Sequence, residues 1–479
     1  MTQSNPRTRP VIGFVTGSVA LAVLSLTACT TVVTGAPDPA NGIRQDVADS
    51  ELEIFGAGDG DVDRLVRNAL ADLNTFWSDQ FPDVFDDEFE PLAGGYYSVD
   101  PDDFNADDYP EAVDDDVCLE DLVENVADNA YYCLAGDEGD VIVYDRTLLE
   151  QLIDDYGPFL AAMVIAHEFG HAIQGREGVD SNRTIVSETQ ADCFAGAWTG
   201  WVATDAAQHF NIRAPELDDL IRGLVEFRDP VGEDPDGDSS HGSYFDRTSG
   251  FQEGFDDGPT ACRDNFDDDR IFTQIEFDPN STDADTSGNA SYDETFEIAD
   301  SSLGAFWTDI LDSSGVDFSI PELVGFDGDA PECDGDGQPG DINFCPADNT
   351  VSYDESELTE ALHDEIGDYA VIMAVAIPYG LSVLQALDQP IEGPDALSSA
   401  VCLAGWYSST FADGDIPFED NGSLISPGDI DEAVIFLVEQ ATRSEVLPAA
   451  ELSGFQLVDF FRRGFVVGPD TCGVDGLDE

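Results

Sequence analysis

The chain repeats itself, with a period of roughly 210 residues between matching blocks. Phe76-Trp77-Ser78-Asp79 returns as Phe306-Trp307-Thr308-Asp309, and Tyr132-Cys133 with Val143-Tyr144-Asp145 returns as Phe344-Cys345 with Ser352-Tyr353-Asp354. The apolar helix read over Phe159–Gln174 returns over Tyr369–Leu384, and Cys193-Phe194-Ala195-Gly196-Ala197-Trp198 returns as Cys402-Leu403-Ala404-Gly405-Trp406-Tyr407. Gly250-Phe251-Gln252-Glu253-Gly254-Phe255 returns near Phe461-Arg462-Arg463-Gly464-Phe465, each followed by a cysteine. Blocks in one order, twice, constrain the fold to one unit written two times. The periodicities predict an α+β unit, mainly helical. Corresponding cysteines then select the disulfides Cys118–Cys133, Cys193–Cys262, Cys333–Cys345 and Cys402–Cys472.

Export is expected from the first residues. Met1–Pro10 is polar with Arg7 and Arg9, Val11–Ala28 is apolar or small, and Leu26-Thr27-Ala28-Cys29 closes the run. This pattern is a signal peptide over 1–28. The residues before Cys29 resemble the bacterial lipobox, which implies lipidation of Cys29 and a lipid anchor at the extracytoplasmic face of the cell membrane. No other segment reads as long and apolar enough to cross a bilayer. Eight further cysteines, an even number, suit an oxidising compartment. Composition places a flexible tether at 29–50, a first domain at 51–277, a polar linker at 278–294 and a second domain at 295–479.

Charge excludes several function classes. Acids number 102 against 17 basic residues, a net −85, and the chain contains no Lys. Such a field repels phosphate backbones, so no nucleic-acid partner is expected. It suits a protein working in high salt, where screening removes the self-repulsion. Calcium is a secondary expectation: Asp234-x-Asp236-x-Asp238 and Asp334-x-Asp336 have calcium-loop spacing but lack the flanking helices and the terminal Glu.

One motif carries chemistry. His167-Glu168-Phe169-Gly170-His171 lies within the helix that Pro158 opens. The i, i+4 spacing puts both imidazoles on one face, able to share a zinc ion, with Glu168 beside it as general base. A metzincin would carry glycine and histidine where Gln174 and Glu177 stand. Two acids compete for third ligand. Glu177 follows Gly175, read as a turn. Glu188 lies on a second helix, running on through Phe194 and Trp198, with Asp192 one turn on, where Asp192 could fix a ligand histidine's tautomer. Glu188 is favoured.

Together, His167-Glu168-Phe169-Gly170-His171 and Glu188-Thr189-Gln190-Ala191-Asp192-Cys193-Phe194-Ala195-Gly196 resemble the bacterial putative neutral zinc metallopeptidase family. His241-Gly242-Ser243, Phe251 to Gly258 and Cys262 extend the likeness, which covers about Asn68 to Phe266. The resemblance implies a zincin-like, gluzincin-type domain. It also implies one zinc on His167, His171 and Glu188, Glu168 as base, and a peptide or protein substrate. His241 or Tyr244 is a candidate donor to the oxyanion formed at the scissile carbonyl. His209 and His363 are read as surface residues. Val141–Tyr144 reads as a strand, and an edge strand beside the site could pair with substrate.

The second half departs where it matters. Ile377, Pro378 and Leu381 stand opposite His167, Glu168 and His171, and Leu397 and Val401 opposite Glu188 and Asp192. It reads as a degenerate, non-catalytic repeat. The expected function is a zinc endopeptidase. The alternatives are an inactive envelope scaffold and a calcium-dependent adhesion module.

Overall fold

The computed structural model describes residues 42–477, apart from 111–117, 120, 135–138, 180, 281, 334–339, 413–424 and 448–451. The signal peptide, Cys29 and the Asp334-x-Asp336 spacing lie outside the described residues. Residues 42–50 are not a free tether: Ile43 bridges Phe210, Arg44 donates to the Phe210 carbonyl and pairs with Asp205, and Ser50 binds Asn68. Short polar composition suggested a tether, but Ile43 and Arg44 find partners some 160 residues away that no local pattern reveals.

The architecture is α+β and mainly helical. The first half runs α1 (Asp61–Phe85), β1 (Gly95–Val99), α2 (Leu122–Val126), β2 (Ala130–Leu134), β3 (Asp140–Asp145), α3 (Arg146–Tyr156), α4 (Pro158–Glu177), α5 (Thr184–Ala203), α6 (Ala214–Leu224), α7 (Tyr244–Asp257) and α8 (Pro259–Asp264). The second runs α9 (Tyr292–Ser313), β4 (Glu322–Phe326), β5 (Ile342–Cys345), β6 (Thr350–Asp354), α10 (Glu360–Glu365), α11 (Asp368–Ala386), α12 (Pro394–Ala412), α13 (Asp429–Gln440) and α14 (Gly454–Val467). Each half has a three-stranded sheet, ordered β1-β3-β2 and β4-β6-β5, with one parallel and one antiparallel pairing. The four disulfides join the pairs that the comparison of the halves selects.

Helix α11, and α4 up to its histidines, are apolar on every side, a pattern that suits a helix buried in a core or in a membrane, and both lie in the core. By length and composition α11 could cross a membrane, contrary to the sequence expectation; its burial marks it as a core helix. Glycines let these helices touch. A Cβ on Gly170 would lie 2.9 Å from the Cα and carbonyl oxygen of Ala191, and one on Gly380 3.2 Å from the same atoms of Ala400. A Cβ on Gly196 would overlap the Phe251 carbonyl, as one on Gly405 would overlap that of Phe461. The close approaches in the first half therefore recur in the second.

The described residues of 42–477 form one compact unit with a core cluster drawn from both halves. Their contact is reciprocal. Asp431 on α13 accepts from the Phe245 N–H at the start of α7 (2.9 Å), and Asp218 on α6 accepts from the Phe455 N–H at the start of α14 (2.8 Å). Each half thus caps a helix of the other. Phe245 packs on Phe461 and Phe465, and Phe255 on Phe455. The linker read over 278–294 includes a short turn at Asp283–Thr286, and its end already belongs to α9.

Candidate metal centre

The crossing at Gly170 brings α4 against α5 and so sets two histidines beside an acid. His167 Nε2 and His171 Nε2 lie 3.1 Å apart. Glu188 Oε2 is 3.2 Å from the first and Oε1 3.4 Å from the second. Ligand atoms of a tetrahedral zinc, at bonds of 2.0–2.1 Å, stand about 3.3 Å apart. The donor set and spacing fit such an ion.

The outer nitrogens are held as a metal site requires. His167 Nδ1 donates to Asp192 Oδ1 at 2.8 Å, since a carboxylate only accepts. His171 Nδ1 donates to Gln174 Oε1 at 2.8 Å, and the Gln174 amide is fixed by donating to Ser187 O and Gln190 Oε1. Both Nε2 lone pairs therefore face one point. Behind them, Arg247 of α7 grips Asp192 with Nε (2.8 Å) and Nη2 (2.9 Å).

The electrostatics call for positive charge there. Burial alone would lower His167, yet the Asp192 and Glu188 carboxylates lift it to about 10. Burial opposes ionisation of Glu188 too, but the two imidazoles hold it well below the usual carboxylate range. Glu168 is pushed up, chiefly by burial, and its carboxylate is hydrogen-bonded by the Tyr132 backbone. A buried carboxylate raised in this way is a better base.

A cleft of about 880 Å³ opens over these groups, lined also by Tyr131, Tyr132, Leu148, Tyr156, Phe227 and His241. Val141–Tyr144 is indeed strand, but within central β3; the edge strand at the cleft is β2. His241 lines the cleft half-exposed, with Nδ1 3.3 Å from Asp229 Oδ1. Asp229 raises the His241 pKa through that bond, and gathers the Ser240 hydroxyl and the His241 and Gly242 N–H groups around itself.

Other expectations are corrected. Tyr244 is buried and its hydroxyl donates to Ile221 O, so it is no oxyanion donor. His209 is not on the surface: it is 4% exposed and its Nδ1 lies 2.7 Å from Asp72, 137 residues away. His363 is also largely covered, with Nε2 2.9 Å from Ala290 O. The groups that cover them, Asp72 and the Ala290 carbonyl, lie far off in the chain, which is why both read as exposed. Glu177 lies exposed at the end of α4, outside the ligand group. Asp236 pairs with Arg183, and among the described residues Asp234-x-Asp236-x-Asp238 belongs to no metal-ligand group. Sequence reasoning missed Gln174, Arg247 and Asp229. Gln174 sits three residues from His171 on one helix face and could have been read; Arg247 and Asp229 act across the fold.

No protein-family model matches the chain, and no solved structure matches it. It is similar to uncharacterized proteins of Mycobacterium tuberculosis and Mycobacterium bovis, 27% identical over 140 residues. The match covers 24% of this chain and 48% of each relative, so the chain spans about half the length of the curated relatives it matches.

Proposed function

We propose that this chain is a zinc-dependent endopeptidase of gluzincin type. The observation that carries the reading is that the two histidine Nε2 atoms, 3.1 Å apart, each lie 3.2–3.4 Å from an oxygen of the Glu188 carboxylate, with both histidine Nδ1 atoms tied to acceptors. His167, His171 and Glu188 would hold the zinc, whose Lewis acidity acidifies water and polarises a peptide carbonyl. Glu168 takes the proton of the attacking water and returns it to the leaving amine. Asp229 favours the charged form of His241, and His241 donates a hydrogen bond to the carbonyl oxygen as it becomes an oxyanion. The free edge of β2 pairs with an extended substrate backbone, and the Tyr132 contact to Glu168 ties that edge to the base.

On this reading the second half is a degenerate zincin-like copy. Ile377 and Leu397 are buried where ligands would stand, and Pro378 occupies the base position. The amino-terminal residues make the protein a lipid-anchored, extracytoplasmic one. Zinc content of purified protein and a proteome-wide cleavage screen test the activity. Wild type should carry about one zinc and cut, while Glu168→Gln should keep the zinc and lose about 10²–10⁴ in rate. Absence of zinc and of cleavage would leave the inactive-scaffold reading.

A further inference from the structure

The second half lacks the histidine ligands but gathers a different group. Asp368 opens α11, and Asp429 and Glu432 lie in the first turn of α13. One carboxylate oxygen from each lies within 4.8 Å of the others. The three residues are only 5%, 3% and 8% exposed. Backbone N–H groups fix them: Ala290 donates to Asp368 Oδ2 (2.9 Å), Ser426 to Asp429 Oδ2 (2.8 Å) and Tyr369 to Glu432 Oε2 (2.9 Å). Gly367 leaves room where a Cβ would overlap the Glu432 carboxylate.

Two further observations point to a ligand. Asp368, buried and facing the other two acids, keeps Oδ1 without a hydrogen-bond partner. No arginine neutralises the group among the described residues. The arginine at α13, Arg228, pairs with Asp431 instead, and His363 beside Asp368 gives its Nε2 to Ala290 O. Three carboxylates this close and this dry do not all ionise without a counter-ion.

The donors are all hard oxygens, which suit calcium and disfavour zinc or copper. The segment joining the halves touches Asp368 through Asn289, whose Oδ1 accepts from the Asp368 N–H at 2.8 Å. It also spells Asp283-x-Asp285-x-Ser287-Gly288 with Glu294 in twelfth place, the spacing of a calcium loop. Gly288 has the positive φ, +95°, of the sixth position. Among the described residues its own acids do not form a ligand group, whereas Asp368, Asp429 and Glu432 do.

We propose that Asp368, Asp429 and Glu432 bind one calcium ion, which ties the segment joining the halves to the first turns of α11 and α13. The ion would replace repulsion by a cross-link at the joint.

The test uses the zinc-loaded, full-length protein at fixed ionic strength and about pH 8, above the ordinary carboxylate range. Calcorimetric titration with calcium chloride should show one saturable site, with a Kd of ~0.1–1 mM or tighter, and a Tm that rises with calcium but not with equal magnesium. Asp429→Asn with Glu432→Gln should abolish both and leave zinc content unchanged. In calcium-free buffer that variant should melt no lower than wild type, because neutral amides relieve the repulsion; a lower Tm in both buffers would mean the acids serve only as helix caps and would overturn the site. If the double variant fails to fold, Asp368→Asn should still weaken calcium about tenfold or more. Absence of saturable binding to wild type, or binding lost in Asp283→Asn/Asp285→Asn but kept in the double variant, overturns it equally.

Discussion

Arg247 shows how much of the site lies behind its ligands. It is buried and supplies both hydrogen bonds that hold Asp192, which in turn orients His167. Removing the guanidinium leaves Asp192 charged, buried and partly unpaired. Arg247→Met should therefore cost about 3–5 kcal/mol in denaturant unfolding and weaken zinc by about 10–100-fold in competitive chelator titration. His241 gives a pH prediction. Its pKa is raised by Asp229, so the imidazolium persists above its ordinary range and is lost as pH climbs through the raised value. If that imidazolium serves the oxyanion, activity falls on the alkaline side. Asp229→Asn should move that limb to lower pH, read from kcat/KM against pH; an unmoved limb would remove His241 from the reaction.

At the scale of elements, the site is a helix crossing. The sequence shows two apolar helices bearing His167, His171 and Glu188, but their distance is set by Gly170 meeting the Ala191 backbone. Gly170→Ala should push α4 from α5, costing about 1–3 kcal/mol and loosening zinc as Glu188 withdraws. Gly380→Ala repeats the insult at Ala400 in the other half. It should destabilise comparably by chemical unfolding and leave zinc stoichiometry and affinity intact. Equal zinc loss from both would mean that global loosening, and not the local crossing, governs the ligands. The strands teach a different lesson. A run of β-forming residues identifies β3, but whether a strand is central or edge depends on which neighbours arrive, and β2 took the cleft side.

The whole molecule is held by its halves capping each other. Asp431 closes the start of α7, the helix that carries Arg247, while Asp218 closes α14, which carries no site residue. Asp431→Asn and Asp218→Asn should each cost about 0.5–2 kcal/mol of stability, and Asp431→Asn alone should also lower zinc affinity. The chain as a whole carries a net −85. Its self-repulsion is greatest at low salt, where the Debye length is ~30 Å at 0.01 M against ~3 Å at 1 M. Tm should rise with sodium chloride towards molar concentrations, with sulfate giving no more at matched ionic strength. A flat Tm would show that the acidic surface is not an adaptation to salt.

Sequence alone determined what depends on chain-local chemistry. The His167–His171 spacing puts two imidazoles on one helix face wherever the helix goes. Likewise, an apolar run such as α11 must leave water, although only the fold shows that it enters the core, and matching blocks select the cysteine pairs. Glu188 was favoured over Glu177 because Asp192 follows it by one turn. What only the tertiary structure decided were pairings between charges far apart in the chain. Asp192 meets Arg247, His209 meets Asp72, Arg44 meets Asp205, and Asp368 meets Asp429 and Glu432. With 70 Asp residues, nothing local distinguishes a buried acid from a solvated one. That difference arises when packing removes water and leaves each charge to find a partner.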